Sequence, residues 1–153
     1  MAEQNVTVIG VEKLRKKLGV IGKGLVNYGV LDKLGNYLTT AIKYRTLAGK
    51  EISGKPFKPY SDKYRLFRQM TGHPTTPNLF FTGSMLNSLT YVPEVSKEQV
   101  KVFFIEGTDR SGMSNPAKAF YLQDDRPFFG ASSEDINKLL QIYEEYVEGL
   151  LRG

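Results

Sequence analysis

The chain has 153 residues, 41% hydrophobic and 24% charged, with a net charge of +5, a size and balance suited to one globular domain with its own core. It contains no cysteine, which excludes disulfides and thiolate-based metal or redox chemistry. No apolar run approaches the roughly 18 residues of a membrane span, and MAEQNVTVIG lacks a signal peptide's basic and apolar regions, so a cytoplasmic setting without membrane contact is expected.

Val6 to Ile9 is a short β-type run closed by Gly10. From Val11 the pattern turns helical. Leu14, Leu18, Ile21, Leu25 and Tyr28 recur at alternating spacings of four and three, and Leu31, Leu34, Leu38, Ala41 and Ile42 continue the stripe with a shift of face. Gly19, Gly22, Gly24, Gly29 and Gly35 interrupt it, each costing about 1 kcal/mol relative to alanine inside a helix. The segment therefore needs packing partners, and it breaks between Gly22 and Gly29 or divides into two helices. Small residues on the stripe also allow another backbone to approach closely.

Residues 46–78 lose all periodicity and read as a long basic loop. After Thr46 they hold four prolines and three glycines. Lys50, Lys55, Lys58, Lys63, Arg65 and Arg68 are interleaved with Phe57, Tyr60, Tyr64 and Phe67. Ser61 to Met70 can form a short helix with Ser61 as its N-cap. A loop this long in a compact domain is functional or folds against a partner. Residues 1–70 carry 14 Lys/Arg against 5 Asp/Glu, whereas residues 71–153 carry 7 against 11. That asymmetry fits a polyanion partner, contact between copies of opposite local charge, or simply two solvated faces.

Thr82 is placed to accept from backbone N–H groups of a following turn whose apolar residues are Met85, Leu86 and Leu89. The period then changes to two. Thr90 to Val95 and Val100 to Ile105 read as antiparallel strands joined by Ser96 to Gln99, the first at a sheet edge because Pro93 cannot donate to a ladder. Phe103 and Ile105 lie opposite Val102 and Phe104, so both faces of that strand need cover. Ala117 to Leu122 reads as a short strand or turn. At the C-terminus, Ser132 and Asp135 form a capping-box pattern ahead of an apolar stripe from Ile136 to Leu151. The expected fold is α+β: an antiparallel sheet of about four strands with long N- and C-terminal helices packed on one face.

Reactive chemistry finds little support. His73 is the only histidine, in a Gly/Pro-rich loop with no acid or nucleophile nearby in sequence, and Asp124-Asp125 reads as a solvated turn. There is no phosphate-binding glycine loop and no metal-ligand spacing. The expectation is a non-enzyme without cofactor or metal. The basic, aromatic segment 50–68 suits either a nucleic-acid phosphate backbone, which it could track, or a neighbouring subunit, with its aromatics as anchors and its cations at the rim.

The order of pieces, GKPFKPYSDKY, then LFFTGSMLNSLTY, a hairpin, and RPFFGASSEDINKLLQIY, resembles the tailed-bacteriophage virion-morphogenesis proteins. These are the tail-completion or neck family that includes the Mu-type and related head–tail joining proteins. Gly54, Pro56, Phe57 and Pro59 correspond to that family's first motif, with Phe57 where tryptophan is usual. Thr82, Gly83, Ser88 and Leu89 correspond to the second, with Met85 in place of leucine. Arg126, Pro127, Phe128, Gly130 and Ser132 correspond to the third. The resemblance implies a virion structural protein, assembled in the host cytoplasm, that forms a hexameric ring at the head-proximal end of the tail. Its partners would be further copies, the head-completion or adaptor protein, and the tail terminator or tube, with DNA passing through the lumen. The expected interface is Lys50, Lys55, Phe57, Lys58, Tyr60, Lys63, Tyr64, Arg65, Arg68, Phe103 and Ile105, with Thr82-Gly83 as a structural corner. A small DNA-binding accessory protein using residues 50–68 is the alternative.

Overall fold

Asn27 sets where the first described helix begins. Its side chain accepts from the Val30 N–H at 2.9 Å, and its carbonyl accepts from the Leu31 N–H at 3.2 Å, an N-cap. The computed structural model describes residues 25–108 and 111–152. The expected strand Val6–Ile9 and the helical stripe before Leu25, with Gly19, Gly22 and Gly24, lie outside the described residues. The elements are α1 (Tyr28–Leu47), α2 (Asp62–Met70), α3 (Ser84–Asn87), β1 (Leu89–Glu94), β2 (Gln99–Phe104), α4 (Asn115–Asp125) and α5 (Ser133–Arg152). A 3-10 turn, Val95–Lys97, joins the two strands.

Helix α1 buries Leu31, Leu34, Leu38 and Ile42 of the expected stripe, with Val30 beside them, while Ala41 is half-buried and Tyr28 is exposed. It stops at a Schellman motif. The Gly49 N–H donates to the Thr46 carbonyl at 2.9 Å and the Lys50 N–H to the Arg45 carbonyl at 3.1 Å, with Gly49 at φ +76°.

The described chain divides into two compact units. One holds Ala41–Leu89 and Phe104–Gly130; the other holds 25–40, Thr90–Phe103 and 131–152. In the second unit the β1–β2 hairpin presents Val100 and Val102 as buried residues, and α5 presents Leu139, Tyr143 and Val147. The capping box forms as predicted: the Ser132 N–H donates to Asp135 Oδ2 at 2.8 Å, and the Asp135 N–H donates to Ser132 Oγ at 3.0 Å. The Tyr143 hydroxyl donates to the Leu25 carbonyl at 2.9 Å, tying α5 to the segment before α1. On α1, Gly35 gives room to an aromatic ring: a Cβ there would lie 2.2 Å from Tyr91 Cδ2. The Tyr91 hydroxyl then donates to Asp32 Oδ1 at 2.8 Å.

In the first unit α3 packs on α4, and the buried apolar residues include Ile42, Phe57, Met85, Leu86, Ala119, Phe128 and Phe129. Two expectations need correction. The architecture is mixed helix and sheet, but the described residues form a two-stranded sheet, not about four strands. Ala117–Leu122, expected as a strand or turn, lies inside α4. Ser114 Oγ accepts from the Ala117 N–H at 3.3 Å, and Pro116, in the first turn, gives up no intrahelical hydrogen bond. Residues 46–78 also carry structure of their own: a Lys50–Pro56 bridge turning at Gly54 (φ +84°), and α2 capped by Ser61.

Candidate functional site

Helix α2 has one buried residue, and it is an arginine. Arg68 is 1% exposed, whereas Tyr64, Leu66, Phe67 and Met70 on the same helix face solvent. Its Nε donates to the Pro74 carbonyl at 2.6 Å, and its Nη2 donates to Asn78 Oδ1 at 3.2 Å and the Phe80 carbonyl at 3.0 Å. The guanidinium also lies 5.0 Å from the Tyr60 ring centroid, 5.9 Å from Tyr64 and 5.8 Å from Phe81. A buried charge is tolerated only when its donors are satisfied, and here carbonyl dipoles and ring quadrupoles do so without a carboxylate. Arg68 thereby pins the 74–81 chain to α2.

A second arginine shares the same ring. The Arg126 guanidinium is 5.0 Å from the Tyr60 centroid, while its Nε donates to the Lys58 carbonyl at 2.9 Å and its Nη2 to the Pro59 carbonyl at 3.1 Å. The 126–130 segment is held by further bonds. The Ile52 N–H donates to the Pro127 carbonyl at 2.9 Å, and Arg45 Nη2 donates to the Gly130 carbonyl at 2.7 Å. Gln123 Oε1 accepts from the Phe128 and Phe129 N–H groups at 3.2 and 3.0 Å. Phe57 and Phe128 are buried inside this frame.

The Thr82-Gly83 corner completes it. Gly83 has φ +84°, and a Cβ there would meet the Phe80 ring at 2.6 Å, so only glycine fits. Thr82 Oγ1 accepts from the Ser84 N–H at 3.3 Å, and Met85 is buried behind it. The three motifs thus meet around one groove of about 630 Å³, whose walls include Lys58, Tyr60, Arg68, Gly83, Lys118 and Arg126, with Asp125 as an acidic member. Tyr64 and Phe81, also at the groove, begin a run of rings along its outer edge. Tyr64 and Phe67 stack at 6.0 Å, Phe67 and Phe81 at 5.8 Å, and Phe81 and His73 at 4.1 Å.

The chain matches no family model, no curated protein and no solved structure. Of the residues expected at a partner surface, Lys50, Lys55, Lys58, Lys63, Tyr64 and Arg65 are exposed and Tyr60 is half-buried. Phe57 and Arg68, also expected there, both turn inward, Phe57 into the apolar frame and Arg68 into its carbonyl cage. Phe103 is half-buried, with Lys101 Nζ 5.7 Å from its ring centroid, and Ile105 is exposed. His73 stacks on Phe81 and its Nδ1 pairs with the Thr71 hydroxyl at 3.0 Å, while Asp125 pairs with Lys58 at 3.6 Å. Among the described residues no group of three or more His, Asp or Glu side chains is placed to hold a metal, and no described helix is long and apolar enough to cross a membrane.

The shared Tyr60 ring was not evident from the sequence. Nothing local links Arg126 to Tyr60 across so much chain, so the sequence carries no signal of their meeting.

Proposed function

We propose that this chain is a virion structural protein whose copies associate into a ring at the head-proximal end of a phage tail, completing the tail and joining it to the head. The observation that carries this reading is the solvent-facing apolar surface of α2. Leu66 is 57% exposed, Phe67 48% and Met70 78%, beside Tyr64 and Phe81 and above a basic groove. Contiguous aromatic surface with a charged rim is the composition of a subunit contact. Buried arginine anchoring keeps that surface rigid, so little ordering entropy opposes docking. The motif resemblance supplies the context of a phage neck and the expectation of a hexamer.

Contact between unlike surfaces, each copy's basic surface against an acidic surface of the next, generates a closed ring when the rotation per subunit divides a circle. Electron micrographs and native mass spectra of the purified protein test this, alone and mixed with the neck and tail proteins encoded beside it. Rings of a single copy number are expected, and Phe67→Asp together with Met70→Asp should disperse them without unfolding the chain. A protein that stays monomeric in both settings, or particles complete without it, would sink the reading.

A further inference from the structure

The acidic partner of the α2 surface can be named from the same chain. The last turns of α5 expose Glu144, Glu145 and Glu148. Leu150 continues the buried Tyr143–Val147 stripe yet is 48% exposed, and Leu151 is 63% exposed. Glu144, Glu148 and Leu151 fall on one helical face by their spacing. The segment is therefore a net acidic helix end, with Arg152 only 3.9 Å from the Glu148 carboxylate, tipped with two uncovered leucines. The groove has the opposite character: among the described residues its walls hold Lys58, Arg68, Lys118 and Arg126 and one acid, Asp125, with exposed rings at its rim. Arg68 in particular is buried with neutral oxygens as its hydrogen-bond acceptors, so its charge still favours an incoming carboxylate.

We propose that the acidic C-terminal end of α5 from one copy docks into the α2 groove of the next, its glutamates facing Lys58, Lys118 and Arg126 and its leucines packing on Phe67 and Phe81. This inference rests on the ring-forming reading and specifies its contact. Opposite charge sets the register and the encounter rate, and the apolar tip supplies the desolvated centre.

The absence of cysteine allows a direct test by cross-linking. One population carries Leu151→Cys and another Phe67→Cys, both at exposed positions. After mixing and mild oxidation, the 151–67 disulfide should form about tenfold faster than either does with Lys97→Cys, an exposed control, as expected when a specific contact raises effective concentration. In parallel, Glu144→Lys/Glu145→Lys/Glu148→Lys and Lys58→Glu/Lys118→Glu should each weaken self-association by about a hundredfold. Mixed together they should recover assembly, because the unaltered helix end of one variant meets the unaltered groove of the other and the two reversed surfaces are again of opposite sign. Rings that persist in the reversed variants, or cross-links no faster than the control in a protein that does assemble, would overturn this contact while leaving ring formation standing. A chain that is monomeric throughout, with no cross-linking preference, would overturn both. Protection of Phe67→Cys from alkylation by a thymidine oligonucleotide, with no 151–67 disulfide, would assign the groove to nucleic acid and also overturn the proposal.

Discussion

Arg68 shows how one side chain can replace a core. Helix α2 spans Asp62–Met70, too short to persist alone, and Arg68 is its single buried residue. Arg68→Met keeps the bulk but leaves the Pro74 and Phe80 carbonyls without their donor and Asn78 Oδ1 with the Phe80 N–H alone. A loss of about 3 kcal/mol in urea-unfolding stability is expected, against about 0.5 kcal/mol or less for Arg65→Met, whose pair with Asp62 is solvent-exposed. Equal losses at the two positions would show that the cage does not anchor the helix. Gly35 makes the complementary point about space. In an open helix, alanine in place of glycine would stabilise by about 1 kcal/mol. Here the added methyl would lie 2.2 Å from Tyr91 Cδ2, within the ring's own volume. Gly35→Ala should therefore destabilise by about 1–3 kcal/mol, and Tyr91→Ala in the same chain should remove that penalty. Thermal melts of the two single variants and the pair check both signs.

At the scale of elements, legibility in the sequence followed the range of the forces. The α5 capping box, the Ser61 cap, the Thr82 bond and the hairpin depend on residues within a few positions of one another, and each stands where its local pattern placed it. Helix α4 was misread because an aromatic-rich run suggested a strand, while the Ser114 cap and Pro116 in the first turn carried the decisive signal. The groove escaped for a different reason: Arg126 reaches Tyr60 through the fold, and no periodicity encodes such a meeting. The glycines of α1 were legible as a need for close approach, but the partner at Gly35 is a side chain from β1, which the stripe could not reveal. That β1–α1 contact has a titration signature. Burial, first, and then the hydrogen bond to the Asp32 carboxylate push the Tyr91 phenol up to about 12 from its usual value near 10. The fold favours the protonated phenol, so its contribution is complete below pH about 10 and is lost as pH rises through about 12. Tyr91→Phe should lower stability at neutral pH by about 1 kcal/mol and remove this alkaline decline. A decline unchanged in the variant would assign it to other groups.

For the whole chain, the question is whether its positive charge is aimed at protein or at DNA. In the proposed ring the lumen would pass DNA, and a conduit cannot grip what passes through it, since each phosphate neutralised by Lys or Arg adds to the salt-dependent hold on the duplex. The excess of Lys/Arg in residues 1–70 looks at first like such a grip. Several of these cations are already engaged: Arg45 on the Phe128 and Gly130 carbonyls, Arg68 in its cage, Arg65 with Asp62 and Lys58 with Asp125. An exposed ion pair, such as Lys58–Asp125, can exchange for a carboxylate of another copy, whereas Arg45 and Arg68 cannot leave their carbonyls without unfolding their surroundings. Duplex binding should therefore be weak at physiological salt, with a logarithmic salt slope corresponding to about two phosphates or fewer. Self-association should show the opposite division of labour: screening between about 0.05 and 0.5 M salt slows assembly by weakening charge steering, while the aromatic and leucine contacts limit the loss in affinity. Sedimentation across that salt range, alongside duplex titrations, measures both in one buffer series. A steep duplex slope with salt-independent monomers would turn the assignment towards a DNA-binding accessory protein, because the same lysines cannot steer subunits together while holding a polyanion.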